Sequence, residues 1–245
     1  MFADLSFRIL AACSTLWMRS RSRVIIDGTE NLPRDTTQPR AYIVLNHSTT
    51  FDLVALMHIS KNRFSVVMDE GAFNVPVIRR LFSSAGFIPL VKAESGKAVA
   101  AAVEKLKAGL PVLNSLTDGA ATIGGEERPR TGGVRIAHLA GAAMYPVFVM
   151  VEEDKKVHRS LRGVDGRTHP FTTFRDTIYF IDFLPPIPAS VFGENETYES
   201  YKALAERMRG LADSEKLKYE RLLREQKDRF DGMRRSGGCD ERITW

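Results

Sequence analysis

The sequence predicts an α/β fold in which helices cover a mixed, mostly buried sheet. Short apolar runs rich in β-branched and aromatic residues alternate with longer stretches of helical periodicity through most of the chain. The apolar runs show little polar alternation, which is typical of strands that are buried on both faces. An N-terminal amphipathic helix precedes this region, and a long, charged C-terminal helical segment follows it.

The predicted strands are bounded by turn-forming residues. They lie at about 24–27, 41–45, 64–68, 86–92 (a turn, then a strand), 112–116, 145–151 and 178–183. The predicted helices lie at about 50–60, 75–84, 96–108, 134–140 and 197–230. Ser95 and Gly109 are expected to cap the third of these helices, and a break is expected near Gly210 in the last. The tail from Ser236 onward is expected to be loose.

Residues 1–18 are apolar but are interrupted by Asp4 and Arg8. Their apolar positions recur at spacings of three and four, and arginines follow: Phe2, Leu5, Ile9, Ala12 and Leu16, then Arg19, Arg21 and Arg23. The pattern fits a helix that lies in a lipid interface. It fits equally well a helix packed on the protein's own core. No apolar run in the chain reaches the roughly 18 residues that a transmembrane helix needs.

Composition limits the classes of function. Hydrophobic residues make up 44% and charged residues 27%, as in an ordinary folded domain. The net charge of +5 favours an anionic partner such as an anionic lipid, a phosphorylated metabolite or a nucleic acid. No motif interleaves aromatic and basic residues, so we expect no nucleic-acid partner. Cys13 and Cys239 are the only cysteines, which argues against a disulfide framework or a cysteine-rich metal site.

The sharpest chemical feature is Asn46-His47 followed by Asp52, directly after a predicted buried strand. Residues five apart on a regular helix point about 140° away from each other. His47 and Asp52 can meet only if His47 lies in the turn and Asp52 in the first helical turn. The carboxylate would then orient the imidazole, and the free ring nitrogen could act as a general base. The alternative is structural: Thr49 caps the helix, Asp52 completes a weak capping box, and His47 is a loop residue.

The residues NHSTTFD resemble the NH-x4-D motif of the glycerolipid acyltransferases, the family that includes bacterial 1-acylglycerol-3-phosphate acyltransferase. Further blocks agree in order and spacing over about residues 24–190: DGTENLP at 27–33, GFIPLVK at 86–92, LTDG at 116–119 and YPV at 145–147. The family's second block usually ends in arginine, where this chain has Lys92. Its third block usually reads FPEGTR, where this chain has Asp118 and Gly119 but no arginine. Arg128 and Arg130 are the nearby residues that could supply the missing charge.

The resemblance implies an acyltransferase without a covalent intermediate. His47 deprotonates the hydroxyl of a lysophospholipid or related amphiphile, which attacks the thioester of acyl-CoA or acyl-carrier protein, and Asp52 supports His47. Lys92, Asp118, Gly119, Arg128 and Arg130 are the candidate substrate-binding residues. No cofactor or metal is expected beyond the acyl donor. We expect a peripheral protein at the cytoplasmic face of the membrane, divided into a membrane-associating segment (1–23), an acyltransferase domain (24–190) and a C-terminal segment (191–245).

Two other functions remain open from the sequence. A catalytically silent lipid-binding protein could keep the same fold, and the altered third block motivates that alternative. Hydrolysis or coenzyme-independent transacylation could use the same residues. The intact pair of His47 and Asp52 favours an enzyme over the silent binder.

Overall fold

The computed structural model describes residues 2–33, 37–47, 49, 52–59, 62–74, 76–117, 128–193, 196–236 and 241–242. The helices within them are α1 (Phe2–Arg21), α2 (Asp52–Ile59), α3 (Pro76–Ala85), α4 (Ser95–Lys107), α5 (Gly132–Ala140), α6 (Tyr198–Glu225) and α7 (Lys227–Ser236). Short 3-10 turns occur at Thr29–Asn31, Glu70–Asn74, Lys92–Glu94, Glu153–Lys155 and Ala189–Val191.

The strands of the described residues form one large sheet and one hairpin. They are β1 (Ser22–Asp27), β2 (Arg40–Val44), β3 (Ser65–Asp69), β4 (Ile88–Leu90), β5 (Val112–Ser115), β6 (Ala143–Val151), β7 (Lys156–Arg162), β8 (Thr168–Phe174), β9 (Thr177–Phe183) and β10 (Glu241–Arg242). The sheet order is β10-β1-β9-β6-β2-β5-β3-β4, and β7 pairs with β8 alone. Neighbouring strands of the sheet are parallel except β6 and β9. The carboxyl ends of β2 to β6 therefore share one edge with the amino end of β9.

The sheet is buried on both faces, as the apolar runs predicted. Alternate residues of one strand enter different cores: Ile43 and Phe180 lie in the core beneath α4 to α7, and Val44 and Tyr179 lie in the core beneath α1 to α3. This alternation follows from the two-residue period of a strand. The mixed α/β class and the long C-terminal helix are confirmed.

Several predicted details are wrong. α6 runs unbroken through Gly210, because Ala205, Met208 and Ala212 on both sides of it are anchored in the core. Packing thus overrides the helix-breaking tendency of an exposed glycine, which amounts to about 1 kcal/mol. Ser95 is the first residue of α4 and makes no capping bond. In the tail, Glu241 and Arg242 pair with the outer edge of β1, and residues 237–240 and 243–245 lie outside the described residues.

The β7–β8 hairpin was not predicted from the sequence. Strand β7 is mostly exposed and polar, and only the end of β8 is buried, so the hairpin lacks the apolar pattern of the central sheet. The hairpin leaves the edge of the sheet between β6 and β9, and its turn contacts the residues before α3: Val164 N–H donates to the Asn74 carbonyl oxygen at 2.9 Å, and the Asn74 amide donates to Asp165 at 3.2 Å.

Helix α1 has two different apolar faces. Phe7, Met18 and their neighbours pack into the core beneath α1 to α3. The stripe that the sequence singled out lies on the other side, where Leu5, Ile9 and Leu16 are 56%, 46% and 74% exposed. The helix therefore packs on the protein and still presents apolar residues to the surroundings. Among the helices that the structure describes, none is long and apolar enough to cross a bilayer.

A polar cluster joins α6 to the sheet edge opposite the carboxyl ends of β2 to β6. Asp182 on β9 accepts hydrogen bonds from Lys218 and Tyr219 on α6, both at 2.9 Å. Burial first, and then the charge of Asp182, raise the pKa of Tyr219 well above its usual range, so Tyr219 remains a donor. This cluster fixes the register of the long helix against the central sheet.

Gly28 follows β1 in the left-handed region, with φ +66°, and a side chain there would collide with the Phe183 carbonyl oxygen. Gly28→Ala should lower the free energy of unfolding by about 2–4 kcal/mol, combining backbone strain with a steric clash. Gly141→Ala is the matched control, because Gly141 has φ +60° but a Cβ atom there would meet nothing within 4 Å. Urea unfolding should give a loss of only about 1–2 kcal/mol for this control. Equal losses would contradict the steric account.

Candidate active site

His47 lies just beyond the carboxyl end of β2, in a turn that is held to neighbouring strands. The ladder between β2 and β6 continues through a side chain: the Asn46 amide donates to the Val149 carbonyl oxygen at 2.5 Å and accepts from Val149 N–H at 3.1 Å. The Asn46 amide thus takes the place of a backbone pair at the point where the chain leaves the sheet. This contact explains why an asparagine directly before the histidine suits the turn.

His47 and Asp52 meet in the geometry that the sequence required. His47 lies in the turn, Asp52 is the first residue of α2, and His47 Nδ1 is 3.0 Å from Asp52 Oδ2. The Asp52 side chain is fully buried, whereas that of His47 is 13% exposed. The imidazole therefore joins a buried carboxylate to the solvent-accessible side of the turn.

Thr49 binds the same carboxylate. Its backbone N–H donates to Asp52 Oδ2 at 2.7 Å, and its hydroxyl donates to Asp52 Oδ1 at 2.7 Å. The first of these bonds is the backward contact of a capping box. The structural and the functional interpretations of the motif are therefore compatible, because one carboxylate fixes the start of α2 and the imidazole together.

Tyr179 is a site residue that the sequence did not reveal. It lies on β9, is fully buried and donates its hydroxyl to Asp52 Oδ1 at 2.6 Å. Burial, and then the charge and hydrogen bond of Asp52, raise the pKa of Tyr179 well above its usual range, so the phenol stays protonated. The only signal in the sequence was a tyrosine within the apolar run 178–183, and a buried phenol needs a hydrogen-bond partner.

Among the described residues, His47, Thr49 and Tyr179 together give Asp52 four hydrogen bonds. An ionised carboxylate offers about four lone-pair positions, so these bonds use its accepting capacity. His47 must then carry its proton on Nδ1, which leaves the Nε2 lone pair free to accept a proton. This is the arrangement of a general base with an orienting carboxylate.

The end of β5 supports the His47 turn from the other side. His47 N–H donates to the Thr117 hydroxyl at 3.2 Å, and the Ser115 hydroxyl donates to the Thr117 carbonyl oxygen at 2.8 Å. Thr117 belongs to the third block of the predicted motif. The candidates Asp118 and Gly119, which follow it, lie outside the described residues.

Arg130 lies at the same edge of the sheet. Its backbone N–H donates to the Leu116 carbonyl oxygen at 2.7 Å, which places its backbone beside Thr117. The guanidinium is partly buried, and this burial lowers the pKa of Arg130, whereas the charge of Asp69 at the end of β3 opposes the shift. Arg128 is exposed. The two arginines therefore differ in burial, a difference that the sequence could not reveal.

Lys92 lies in the 3-10 turn directly after β4, with an exposed side chain. β4 is separated from β2 by β5 and β3, so their strand axes lie about 14 Å apart at roughly 4.8 Å per strand. The carboxyl ends of these parallel strands place Lys92, Arg130 and His47 along one edge. Within the described residues, no group of three or more His, Cys, Asp and Glu side chains could hold a metal ion.

Comparisons with known proteins identify the family and the fold. The family model described as "Acyltransferase" matches residues 23–150, just over half of the chain. Among solved structures, the 1-acyl-sn-glycerophosphate (LPA) acyltransferase PlsC from Thermotoga maritima matches with a TM-score of 0.59 and 18% sequence identity. This match covers 87% of the present chain and 79% of PlsC, and at this identity it shows a common fold. A comparison with proteins of curated function gives no significant match.

The family model spans the His47 turn, the strands on either side of it and the edge that carries Arg130. The similarity to PlsC extends the shared fold over most of the chain. Taken with the NH-x4-D motif, these findings show that the chain belongs to the acyltransferase family whose members include the glycerolipid acyltransferases.

Proposed function

We propose that the protein transfers a fatty acyl group from a thioester donor, acyl-CoA or acyl-carrier protein, to the hydroxyl of a lysophospholipid. The observation that carries the proposal is the contact of His47 with the buried, fully hydrogen-bonded carboxylate of Asp52. Such a pair positions a base for a hydroxyl nucleophile. The solved structure of an LPA acyltransferase with this fold supports a glycerolipid acceptor.

In the proposed reaction, His47 Nε2 accepts the proton of the acceptor hydroxyl as its oxygen attacks the thioester carbonyl carbon. Asp52 stabilises the imidazolium through Nδ1–H. The tetrahedral intermediate then collapses, the carbon–sulfur bond breaks, and the thiolate leaves with the proton from His47. The products are an ester and a free thiol, and His47 returns to its neutral state.

We infer that Arg130 and Lys92 bind the acceptor's phosphate. Both lie at the edge of the sheet that carries His47, and Arg130 is partly buried there, where a charged hydrogen bond is less screened by water. Arg130 would then supply the charge that the altered third block lacks. The charge of Asp69, at the end of β3, opposes part of this attraction, so Lys92 would complement Arg130 in binding the phosphate.

We also propose that the protein binds the membrane surface peripherally, at the cytoplasmic face. The exposed stripe of α1, Leu5, Ile9 and Leu16, lies beside the exposed Arg8 and Arg19. Apolar residues flanked by arginines suit the boundary between acyl chains and anionic head groups. This location would bring an amphiphilic acceptor to the site.

A catalytically silent lipid-binding protein with the same fold is the second candidate. Such a protein would have no need for a histidine oriented by a buried carboxylate. Turnover separates the two: formation of a diacyl product from a lysolipid and an acyl thioester, measured by lipid mass spectrometry, would exclude the silent binder.

His47→Ala should lower the rate of acyl transfer by about a hundredfold to ten-thousandfold, because it removes the general base. Asp52→Asn should also be severely impaired, since an amide cannot replace the accepting carboxylate. His158→Ala is the matched control, because His158 lies on the exposed hairpin and pairs with Thr172. Near-normal turnover by a folded His47→Ala protein would refute the assignment.

Tyr179→Phe should lower kcat by about tenfold with little change in KM, because Asp52 loses one donor and positions His47 less firmly. Tyr201→Phe is the matched control, since its hydroxyl contacts His138 at 2.6 Å, outside the site. An unchanged kcat in a folded Tyr179→Phe protein would leave Tyr179 a purely structural role.

Arg130→Gln and Lys92→Ala should each raise the KM for lysophosphatidic acid by roughly ten- to a hundredfold and spare the KM of the donor. Neither variant should affect the use of an uncharged monoacylglycerol. Arg128→Gln, at an exposed arginine two residues from Arg130, serves as the control and should change little. If both acceptors are slowed equally in steady-state kinetics, the head-group assignment fails.

A further inference from the structure

A groove of about 530 Å³ lies between α3 and the turn of the β7–β8 hairpin, outside the residues that surround His47. It is lined by Arg79, Arg80, Ser83, Ser84 and Val164. The helix supplies four of these five residues as two pairs spaced four apart, so two arginines and two serines lie on adjacent turns of one face. The face is strongly polar, unlike the buried face of the same helix.

The arginines of the groove are available for an anion. Both are exposed, and neither has an ion-pair partner within the part of the chain that the structure describes. Ser84 donates its hydroxyl to the Leu81 carbonyl oxygen at 3.0 Å, which leaves Ser83 as the hydroxyl donor for a ligand. Guanidinium groups bind phosphate through paired, charge-assisted hydrogen bonds.

The hairpin contributes one apolar residue to the groove, Val164, which is held in place. The hairpin turn is attached to Asn74 by the backbone bond of Val164 and by the side chain of Asp165. Val164 is 60% exposed, so its side chain is accessible to a ligand in the groove. The ligand that suits this groove therefore has a phosphate next to hydrocarbon, not a phosphate alone.

The groove also belongs to the layer that carries the exposed apolar stripe of α1. α1, α2 and α3 together cover one face of the sheet, so their exposed sides form the outer surface of a single layer. A surface with apolar residues on one helix and exposed arginines on its neighbour matches the boundary of an anionic bilayer.

We propose that this groove binds the phosphate head group of one anionic phospholipid while the stripe of α1 contacts the acyl-chain region. The inference rests on the proposed membrane binding and adds a defined lipid site to it. Arg79, Arg80 and Ser83 hold the phosphate, and Val164 contacts the start of the acyl chains. The site orients the protein on the membrane and is separate from the acceptor site at Arg130.

The test uses the full chain and flotation with vesicles of equal parts phosphatidylglycerol and phosphatidylcholine at physiological ionic strength, where long-range attraction is screened. The double variant Arg79→Gln, Arg80→Gln is compared with Arg159→Gln, Arg162→Gln, which removes two exposed hairpin arginines outside the groove. Both variants lose the same charge. The groove variant should bind these vesicles about tenfold more weakly than the control variant, and the two should bind pure phosphatidylcholine vesicles equally.

Equal weakening by both double variants would overturn the proposal, because it would mean that net charge alone attracts the protein. Calorimetric binding of adenosine 3′,5′-bisphosphate to the wild type, lost in the groove variant, would also overturn it, since the groove would then serve the phosphates of a free acyl donor. Transfer to a water-soluble short-chain lysolipid should be unchanged in the groove variant. This measurement distinguishes failure of the groove proposal from failure of the proposed reaction. If the proposed reaction is wrong, the wild type will show no transfer, but the vesicle-binding result will not change.

Discussion

The Asp52 carboxylate is the point at which three separate parts of the chain meet. Asp52 is the first residue of α2, and its carboxylate accepts hydrogen bonds from His47 and Thr49 in the turn after β2 and from Tyr179 on β9. A buried carboxylate without these donors would be strongly destabilising. The same contacts that make its burial tolerable also orient His47. Stability and chemistry therefore impose the same constraint on this site, and a change to any one donor affects both.

The topology of the sheet explains why these parts meet. Parallel strands bring the turns after β2, β3, β4 and β5 to one edge, which collects His47, Asp69, Lys92 and Thr117. The antiparallel pairing of β6 with β9 then brings the amino end of β9, and with it Tyr179, to that edge. The hairpin inserted between β6 and β9 extends from the same edge to the residues before α3. The sheet thus supplies the site with residues that are more than a hundred positions apart.

The helices on the two sides of the sheet have different roles. α4 to α7 bury one face, and the polar cluster around Asp182 fixes α6 in register. α1 to α3 bury the other face but leave apolar and basic residues exposed on their outer side. An exposed apolar stripe is costly in water unless a partner removes it from solvent. This asymmetry is the reason for proposing that the side formed by α1 to α3 binds a membrane surface.

The sequence by itself determined the α/β class, most of the strands and the pair of His47 and Asp52, because short apolar runs, helical periodicity and a turn motif are local properties of the chain. It could not find Tyr179, whose role depends on a contact 127 residues away in sequence. Nor could it tell that Arg130 is partly buried whereas Arg128 is exposed. It also could not decide whether α1 packs on the core or exposes its apolar residues, since one helix can present apolar residues on two faces. Only the tertiary structure decided these points, because burial and hydrogen-bond partnership arise from long-range packing, which local spacing does not encode.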